Sequence, residues 1–458
     1  MILEKKNIHF VGVGGIGMSG IASILLKMGY RVSGSDVESN SLTEKLKKSG
    51  AAISRGHYRS SILSDTQVVV YSSSINDQNP EIIEARSRNI PVVKRAEVLG
   101  ELLNSRKGIA VTGTHGKTTT TSMIAVMLEN CGLDPTVAIG GEVALFGSNA
   151  KYGNGEYMVA EADESDGSFL YLEALYSVIT NIEMEHVDYY ATLEASIESY
   201  AAFANNTRKG GTLFYNADDQ NIKKMLKSFK GRETEGFSMH KGGDTYPHEI
   251  KMNGFRSSYI CVRKNEVLGR VFLNVPGLHN VMNSLAAVSV GLKLGLSFER
   301  ITQAIKDFTG TKRRFHLRAD SDGIMLIDDY AHHPTEIRAV LDACGSWKDR
   351  RLIVVFQPHR YSRTKFLAEE FGRCFKGANK LILTDIYAAS EEPIEGISSW
   401  IIYDRVKTHG QEDVVMMDKK EVTEHIMKMK RSGDMILVLG AGDIKDVANE
   451  LSERLGKR

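Results

Sequence analysis

Lys117 and Thr118 close the stretch Gly-Ile-Ala-Val-Thr-Gly-Thr-His-Gly-Lys-Thr-Thr-Thr, residues 108–120. A lysine followed by a hydroxyl residue, directly after a glycine-rich turn, has the chemistry of a nucleoside-triphosphate site. The ammonium supplies a point charge to β- and γ-phosphates, and the hydroxyl a ligand for Mg²⁺. The common phosphate loop, G-x-x-x-x-G-K-[ST], needs its first glycine where this chain has Val111; what stands here is the shorter G-x-x-G-K-T. The bland alternative is a tight strand-to-helix turn with a surface lysine.

Further groups fit the same chemistry. Glu161-Ala-Asp163-Glu164-Ser-Asp166 follows the apolar run Tyr157 to Ala160. Carboxylates at a strand end beside a phosphate loop are where Mg²⁺ ligands sit in triphosphate enzymes, and Glu161 is nearest the strand end. A solvated acidic turn is the alternative. His186, in Glu-Met-Glu-His-Val-Asp, reads either as a metal ligand or as a helix-capping histidine. Asn280 and Asn283, spaced i and i+3 at the start of an apolar helix, share a face. Their carboxamides suit the edge of an adenine, though polar residues at a helix start need no ligand. Arg360 and Arg363, with His359 in Gln-Pro-His-Arg-Tyr-Ser-Arg, suggest a carboxylate or phosphate clamp. His332-His333-Pro334 reads as a capping turn rather than a metal site.

These residues need scaffolds. Ile109 to Val111 reads as a buried strand, and Lys117 to Thr121 opens a helix whose N–H groups and dipole point at one anion site. Upstream, Ile8 to Val13 runs into Gly12-Val-Gly14-Gly15-Ile16-Gly17, with Asp36 about 20 positions on, the G-x-G-x-x-G fingerprint in its βαβ setting. Alone it predicts a dinucleotide and a nicotinamide-dependent dehydrogenase. The underlying physics is a diphosphate on a helix N-terminus, which a UDP-sugar shares. The strand Gln67 to Tyr71 delivers Ser72, Ser73 and Ser74 at its C-terminal end, where hydroxyls could bond a phosphate or sugar or simply cap a turn. Gly140-Gly141 reads as a flexible turn. Residues 230–275 are polar and β-prone, with a hairpin of Ser258 to Val262 and Val267 to Phe272. Downstream, four apolar strands at Ile324, Leu352, Lys380 and Met435 alternate with helical stretches, so a parallel, doubly covered sheet is expected.

At 458 residues the chain predicts roughly three domains. The reading is an α/β fold in three parts. Residues 1–106 form an N-terminal Rossmann-like domain and residues 107–312 a central phosphate-loop ATPase-type domain with a β-rich insertion. Residues 313–458 form a C-terminal Rossmann-like parallel sheet. Fifty-eight basic against 57 acidic residues give a net charge of +1, so nothing points to nucleic acid or an anionic membrane as partner. Four scattered cysteines, Cys131, Cys261, Cys344 and Cys374, fit reduced thiols. With no signal peptide and no run of about 18 apolar residues, a soluble cytoplasmic enzyme is expected, without membrane insertion.

Taken in order, these motifs resemble the Mur ligases, nearly end to end. Residues 8 to 20, Gly-Thr-His-Gly-Lys-Thr-Thr-Thr, Glu-Ala-Asp-Glu-Ser-Asp, Glu-His-Val-Asp, His-Asn-Val-Met-Asn and Arg-Arg-Phe carry the resemblance. Asp-Asp-Tyr-Ala-His-His-Pro-Thr-Glu and Gln-Pro-His-Arg-Tyr-Ser-Arg-Thr complete it. The short phosphate loop is that family's own pattern. The resemblance implies an ATP-dependent amide-forming ligase acting through an acyl phosphate in peptidoglycan precursor synthesis, with UDP-N-acetylmuramate, L-alanine and ATP as partners. A peptide-recycling ligase of the same family is the nearest rival, and a dehydrogenase the rival from another class. It further implies that Gly113, Thr114, His115, Gly116, Lys117, Thr118, Thr119, Asn280 and Asn283 bind ATP. Thr118, Glu161 and His186 would hold two Mg²⁺ ions. Gly14, Gly15, Ile16, Gly17, Asp36, Ser72, Ser73 and Ser74 would meet the UDP-substrate. Arg314 and Asp329 would join Lys117, Glu161 and His186 in catalysis, while His359, Arg360 and Arg363 would face the muramoyl carboxylate and the amino acid. No residue matches the modified lysine that other members carry near the metals.

Overall fold

Three β-sheets succeed one another along the chain in the computed structural model, which describes residues 2–230 and 233–456. The N-terminal sheet is parallel, with strands in the order Ala52–Arg55, Arg31–Asp36, Asn7–Val11, Val68–Tyr71 and Val92–Lys94. Phe10, Val11, Val69 and Val70 are fully buried, as strands covered by helices on both faces require. The strand order reverses between Asn7–Val11 and Val68–Tyr71. The glycine-rich turn and Ser72 to Ser74 leave the sheet at that reversal, where crevices form in such sheets.

The central sheet has ten strands. Lys107–Thr112 lies in its middle, between Tyr157–Glu161 on one side and Tyr176–Ile179 on the other, all parallel. The helix Lys117–Asn130 follows Lys107–Thr112 and is buried from Thr118 to Leu128. A helix sheathed on every side needs small or apolar residues all round, which Thr119, Ala125 and Met127 supply. It packs against the helix Leu278–Lys293, the element that carries Asn280 and Asn283. Residues 245–273 extend the sheet by three antiparallel-linked strands. The expected hairpin is present, and its strands run longer, Arg256–Arg263 and Glu266–Leu273. Lys264 and Asn265 turn it with φ of 49° and 68°, the primed geometry that two-residue hairpins favour.

Gly140 and Gly141 are not a flexible turn. They lie within the extended strand Thr136–Val143. A Cβ on Gly140 would stand 2.8 Å from both Glu161 carboxylate oxygens, and one on Gly141 2.9 Å from Thr118 Cγ2. These glycines make room for side chains, in a stretch where the pairing with Ser148–Lys151 shifts register between Ala138 and Val143.

The C-terminal sheet has the four expected strands, observed as Ile324–Asp329, Arg351–Phe356, Lys380–Leu383 and Asp434–Leu439, all parallel. Two edge strands were not foreseen: Val414–Met416, parallel, and His316–Ser321, antiparallel to Ile324–Asp329. His316–Ser321 is mostly polar and half-exposed, so it lacks the apolar run that marks an inner strand. Hydrophobic clusters cover both faces of the sheet. All four cysteines are buried and unpaired. No helix among the described residues is long and apolar enough to cross a membrane.

Candidate active site

The loop after Lys107–Thr112 is shaped by two glycines, Gly113 at φ 135° and Gly116 at φ 80°. A Cβ at Gly113 would lie 2.0 Å from Thr180 Oγ1, and one at Gly116 2.8 Å from Asn283 Oδ1, so neither position admits a side chain. The loop is braced from below. Thr180 Oγ1 donates to the His115 carbonyl (2.6 Å), the His115 N–H donates to Asn181 Oδ1 (2.8 Å), and the Glu183 N–H donates to Thr114 Oγ1 (2.9 Å). The first helical N–H groups, from Lys117 to Thr119, have no intrahelical acceptor and form the anion-binding end of the turn.

Lys117 Nζ donates to the carbonyls of Gly113 (2.6 Å) and Thr114 (3.1 Å) and to Glu164 Oε1 (2.7 Å). Burial works against the ammonium, but the carboxylates of Glu164 and Asp163 outweigh it and hold its pKa above the ordinary lysine value. Glu164 Oε1 also lies 3.3 Å from His186 Nε2, while its Oε2 is buried with no hydrogen-bond partner. Glu164, rather than Glu161, is therefore the residue that joins Lys117 to His186. Thr118 Oγ1 donates to Glu161 Oε1 (3.0 Å), and the Gly140 N–H donates to Glu161 Oε2 (2.7 Å). Burial raises the Glu161 carboxyl above its usual range, with Lys117 opposing. A hydroxyl and a carboxylate 3.0 Å apart are the hard oxygen donors that Mg²⁺ takes; the donor set fits that ion.

Asn283 Oδ1 accepts from Thr120 Oγ1 (3.1 Å), and its Nδ2 donates to Asn280 Oδ1 (3.3 Å). Asn280 in turn donates to the Pro276 carbonyl (2.6 Å). The pair shares a face, as the spacing predicts, and is buried.

The C-terminal sheet faces this loop with its strand ends. Asp329 accepts the N–H groups of Phe315 (2.6 Å) and Ala331 (2.7 Å), and burial pushes its pKa up to about 6. Arg314 lies 5.1 Å from the Tyr330 ring centre and 3.8 Å from Glu336 Oε1. His333 caps the helix Pro334–Cys344, while Glu336 accepts the N–H groups of His332 (3.1 Å) and His333 (3.3 Å). The capping turn is as expected. Burial depresses His332 and His333 to about 4 and His359 to about 3, so all three are neutral imidazoles at pH 7.

Arg363 is buried. Its Nε donates to Glu185 Oε1 (2.9 Å) and its Nη1 to the His359 carbonyl (2.9 Å). Burial disfavours the Glu185 charge, yet Arg363 beside it holds the carboxyl well below its usual range. Arg360 Nη1 donates to Asp188 Oδ2 (3.0 Å). Both arginines are bonded to carboxylates of the protein itself, and both of those sit in the segment after Tyr176–Ile179.

Three cavities meet here. One of about 360 Å³ is lined by His115, Gly116, Thr119, Asn280, Asn283, Arg314 and Asp329. A second, of about 560 Å³, is lined by Lys117, Thr118, Glu161, His186, Arg314, His359, Arg360 and Arg363. His115, Gly116, Arg314 and Glu336 belong to both walls. A third, of about 270 Å³, is lined by Gly15, Ile16, Gly17, Ser72 and Ser73, and shares Ile16, Gly140, Glu161 and Asp163 with the second. The residues singled out in the sequence thus surround one connected space, with four exceptions. Gly14, Asp36, Ser74 and Gly113 do not line it. Asp36 accepts the Gly14 N–H at 2.7 Å, so its carboxylate braces the glycine turn. Arg95, which lines the third cavity and lies 3.8 Å from Asp163, escaped sequence reasoning. Its place directly after the strand Val92–Lys94 was the available signal.

The chain belongs to the Mur ligase family. Its three family models match in order: the Mur ligase family catalytic domain over residues 7–107, the middle domain over 111–291 and the glutamate ligase domain over 313–442. Within that family the chain is similar to UDP-N-acetylmuramate–L-alanine ligases. The one from Geotalea daltonii is 47% identical over 452 residues, 98% of each chain. That of Desulfotalea psychrophila is 45% identical over 460 residues, covering both chains fully. The crystal structure of UDP-N-acetylmuramate-alanine ligase from Thermotoga maritima superposes with a TM-score of 0.83 at 29% identity, covering 98% of each chain. A murein peptide ligase from Psychrobacter arcticus shares the fold, with a TM-score of 0.73 at 23% identity, over 98% of this chain and 99% of that one.

Proposed function

We propose that the chain joins L-alanine to the carboxylate of UDP-N-acetylmuramate, with ATP converted to ADP and phosphate. The observation that carries this reading is the connected space at three sheet edges, in which a phosphate loop opens on one side to an asparagine-lined cavity and on the other to a glycine-turn cavity. The relatives at 45–47% identity, alanine ligases over their whole length, support alanine over a tripeptide as the incoming group.

ATP lies with its adenine toward Asn280 and Asn283 and its phosphates on the loop Gly113, Thr114, His115, Gly116, Lys117, Thr118 and Thr119. Lys117 holds the γ-phosphate, leaving Glu164 for it, and Arg314 and Asp329 bound the same space from the C-terminal side. UDP-N-acetylmuramate enters by Gly15, Ile16, Gly17, Ser72 and Ser73. His359, Arg360 and Arg363 order the edge where the muramoyl carboxylate and alanine meet. A carboxylate is a poor acyl donor because oxide would have to leave. Transfer of the γ-phosphoryl group to the carboxylate oxygen, with ADP leaving, gives an acyl phosphate; the uncharged alanine amine then attacks and phosphate leaves. Mg²⁺ held by Thr118 and Glu161, with a second ion at His186, would neutralise the charge that two approaching anions build up. Lys117 and the loop N–H groups fix the phosphate, and closure of the three domains keeps water from the acyl phosphate. The residue ranges 1–106, 107–312 and 313–458 divide UDP-substrate, ATP and amino-acid binding among them, in the cytoplasm.

Phosphate release from ATP with UDP-N-acetylmuramate tests the reading, comparing alanine, serine, glycine and a tripeptide. Alanine-dependent release is expected. Release that ignores the amino acid, or that appears only with the tripeptide, overturns it.

A further inference from the structure

At the wall of the asparagine-lined cavity, three side chains from three segments converge: His115 of the phosphate loop and Glu183 after Tyr176–Ile179, which both line it, and His333 at the head of Pro334–Cys344. His115 Nε2 lies 3.4 Å and His333 Nδ1 3.8 Å from the same oxygen, Glu183 Oε2. The three donor atoms all fall within 4.8 Å of one another, and the imidazole ring centres are 4.6 Å apart. Bonds of about 2.0–2.1 Å at tetrahedral angles put ligand atoms about 3.3 Å apart, so the cluster needs only a small contraction to close on an ion.

The surroundings point the same way. A metal-bound imidazole usually gives its other N–H to a carboxylate. His115 has Glu336 Oε1 at 3.3 Å from Nδ1, and His333 has Glu185 Oε2 at 3.8 Å from Nε2. The Thr335 N–H now donates to His333 Nδ1 at 3.3 Å, so an ion taken by that nitrogen would displace this capping bond and leave Nε2 as the protonated nitrogen. Yet His333 Nε2 and Glu185 Oε2 are both buried without a hydrogen-bond partner. They face each other just beyond bonding reach, and a ligated His333 drawn into place would join them. Thr335 Oγ1 donates to Glu183 Oε2 at 2.8 Å and orients the third ligand.

We propose that His115, Glu183 and His333 form a binding site for a zinc-class divalent cation, distinct from the Thr118–Glu161 pair, that pins the C-terminal sheet to the phosphate loop. Two imidazoles and one carboxylate, with water in a fourth position, match zinc and cobalt rather than Mg²⁺, which prefers an all-oxygen shell. Since His333 comes from the C-terminal sheet and the other two from the central one, a bound ion restrains their relative movement.

Cobalt(II) is the probe. The full-length protein, in excess Mg²⁺ and without nucleotide or substrate, is titrated with Co²⁺ and its visible spectrum recorded. One equivalent of the intense absorption of a tetrahedral site is expected, displaced by Zn²⁺. It is lost in Glu183→Gln and His333→Gln and weakened on the order of 10- to 100-fold in affinity by Glu336→Gln. Thermal melting of each variant checks folding, and if His333→Gln does not fold, the near-isosteric Glu183→Gln decides. Anomalous diffraction at the cobalt edge locates the ion. Only weak octahedral absorption, full intensity in Glu183→Gln, or anomalous density confined to Thr118 and Glu161 overturns the proposal. No ligase turnover enters the measurement, so its failure and that of the proposed reaction are separate results.

Discussion

Replacing Gly140 by alanine tests whether the Glu161 carboxylate must stand where it does. The new Cβ would come 2.8 Å from both carboxylate oxygens, against an ordinary contact of 3.4 Å or more, so the carboxylate has to retreat by about 0.6 Å (3.4 less 2.8). Gly140 is not among the positive-φ residues and lies in an extended strand, so alanine adds no backbone strain, and its N–H remains. The variant leaves every proposed Mg²⁺ ligand in place and alters only their spacing. Functional groups need positioning within about 0.5 Å, and a misplacement of about 1 Å costs on the order of 100-fold. A loss of about 10- to 100-fold in kcat/KM is expected, equivalent to about 1.4 to 2.7 kcal/mol of transition-state stabilisation. The assay is alanine-dependent phosphate release over a Mg²⁺ titration, with thermal melting alongside. The Mg²⁺ requirement should rise while the melting temperature holds. Activity within twofold of the parent at every Mg²⁺ concentration would refute the argument that Glu161 geometry governs the reaction.

Lys117→Ala should abolish phosphate release while the fold survives, measured by malachite-green detection and circular dichroism; residual release above a few per cent contradicts the role. Asn283→Ala removes the bond from Thr120 Oγ1 (3.1 Å) as well as the proposed adenine contact. Its KM for ATP should rise roughly 10-fold, about one hydrogen bond, with a smaller change in kcat. For Asp329, burial raises the folded pKa to about 6, above the ordinary 3.8. The stability this group contributes is present below pH 4 and is lost as pH rises through 6, because the unfolded chain releases the proton first. Asp329→Asn has no such loss. Its melting temperature relative to the parent should therefore improve between pH 4 and pH 7, and a flat or opposite trend shows the carboxyl is not held protonated.

What could be read from the sequence was local. A strand, a glycine turn and a helix N-terminus adjoin one another in the chain, so the phosphate loop and the glycine-rich turn at Gly12 were legible with their neighbours. Relations across the sheet were not. Gly140 meets Glu161 only because Thr136–Val143 lies next to Tyr157–Glu161, and spacing cannot reveal strand order. The same blindness affected charges. Two arginines after one strand announce a partner carboxylate, but composition does not say whether that carboxylate belongs to a ligand or, as for Arg363 and Glu185, to the protein. Asp36 shows a related limit: spacing places an acidic residue at ribose distance in the chain but does not reveal that one of its oxygens accepts the Gly14 N–H. The edge strand His316–Ser321 stayed hidden because a half-exposed, mostly polar strand has no run of apolar residues to mark it.

The segment from Asn181 to Tyr190 and the C-terminal strand ends are laced together by Arg363 with Glu185, Arg360 with Asp188, and Thr335 with Glu183. Anyone building hybrids from two relatives meets this lacing as a constraint on where to cut. A recombinant joined at residue 312 would carry the donor's arginines into a host whose carboxylates had drifted. A buried guanidinium stripped of its counterpart costs about 3–5 kcal/mol, a large share of what holds an ordinary domain folded. The cassette that travels cleanly is therefore discontinuous, residues 181–190 moving with residues 313–456. Sequence drift at the two places should be correlated for the same reason.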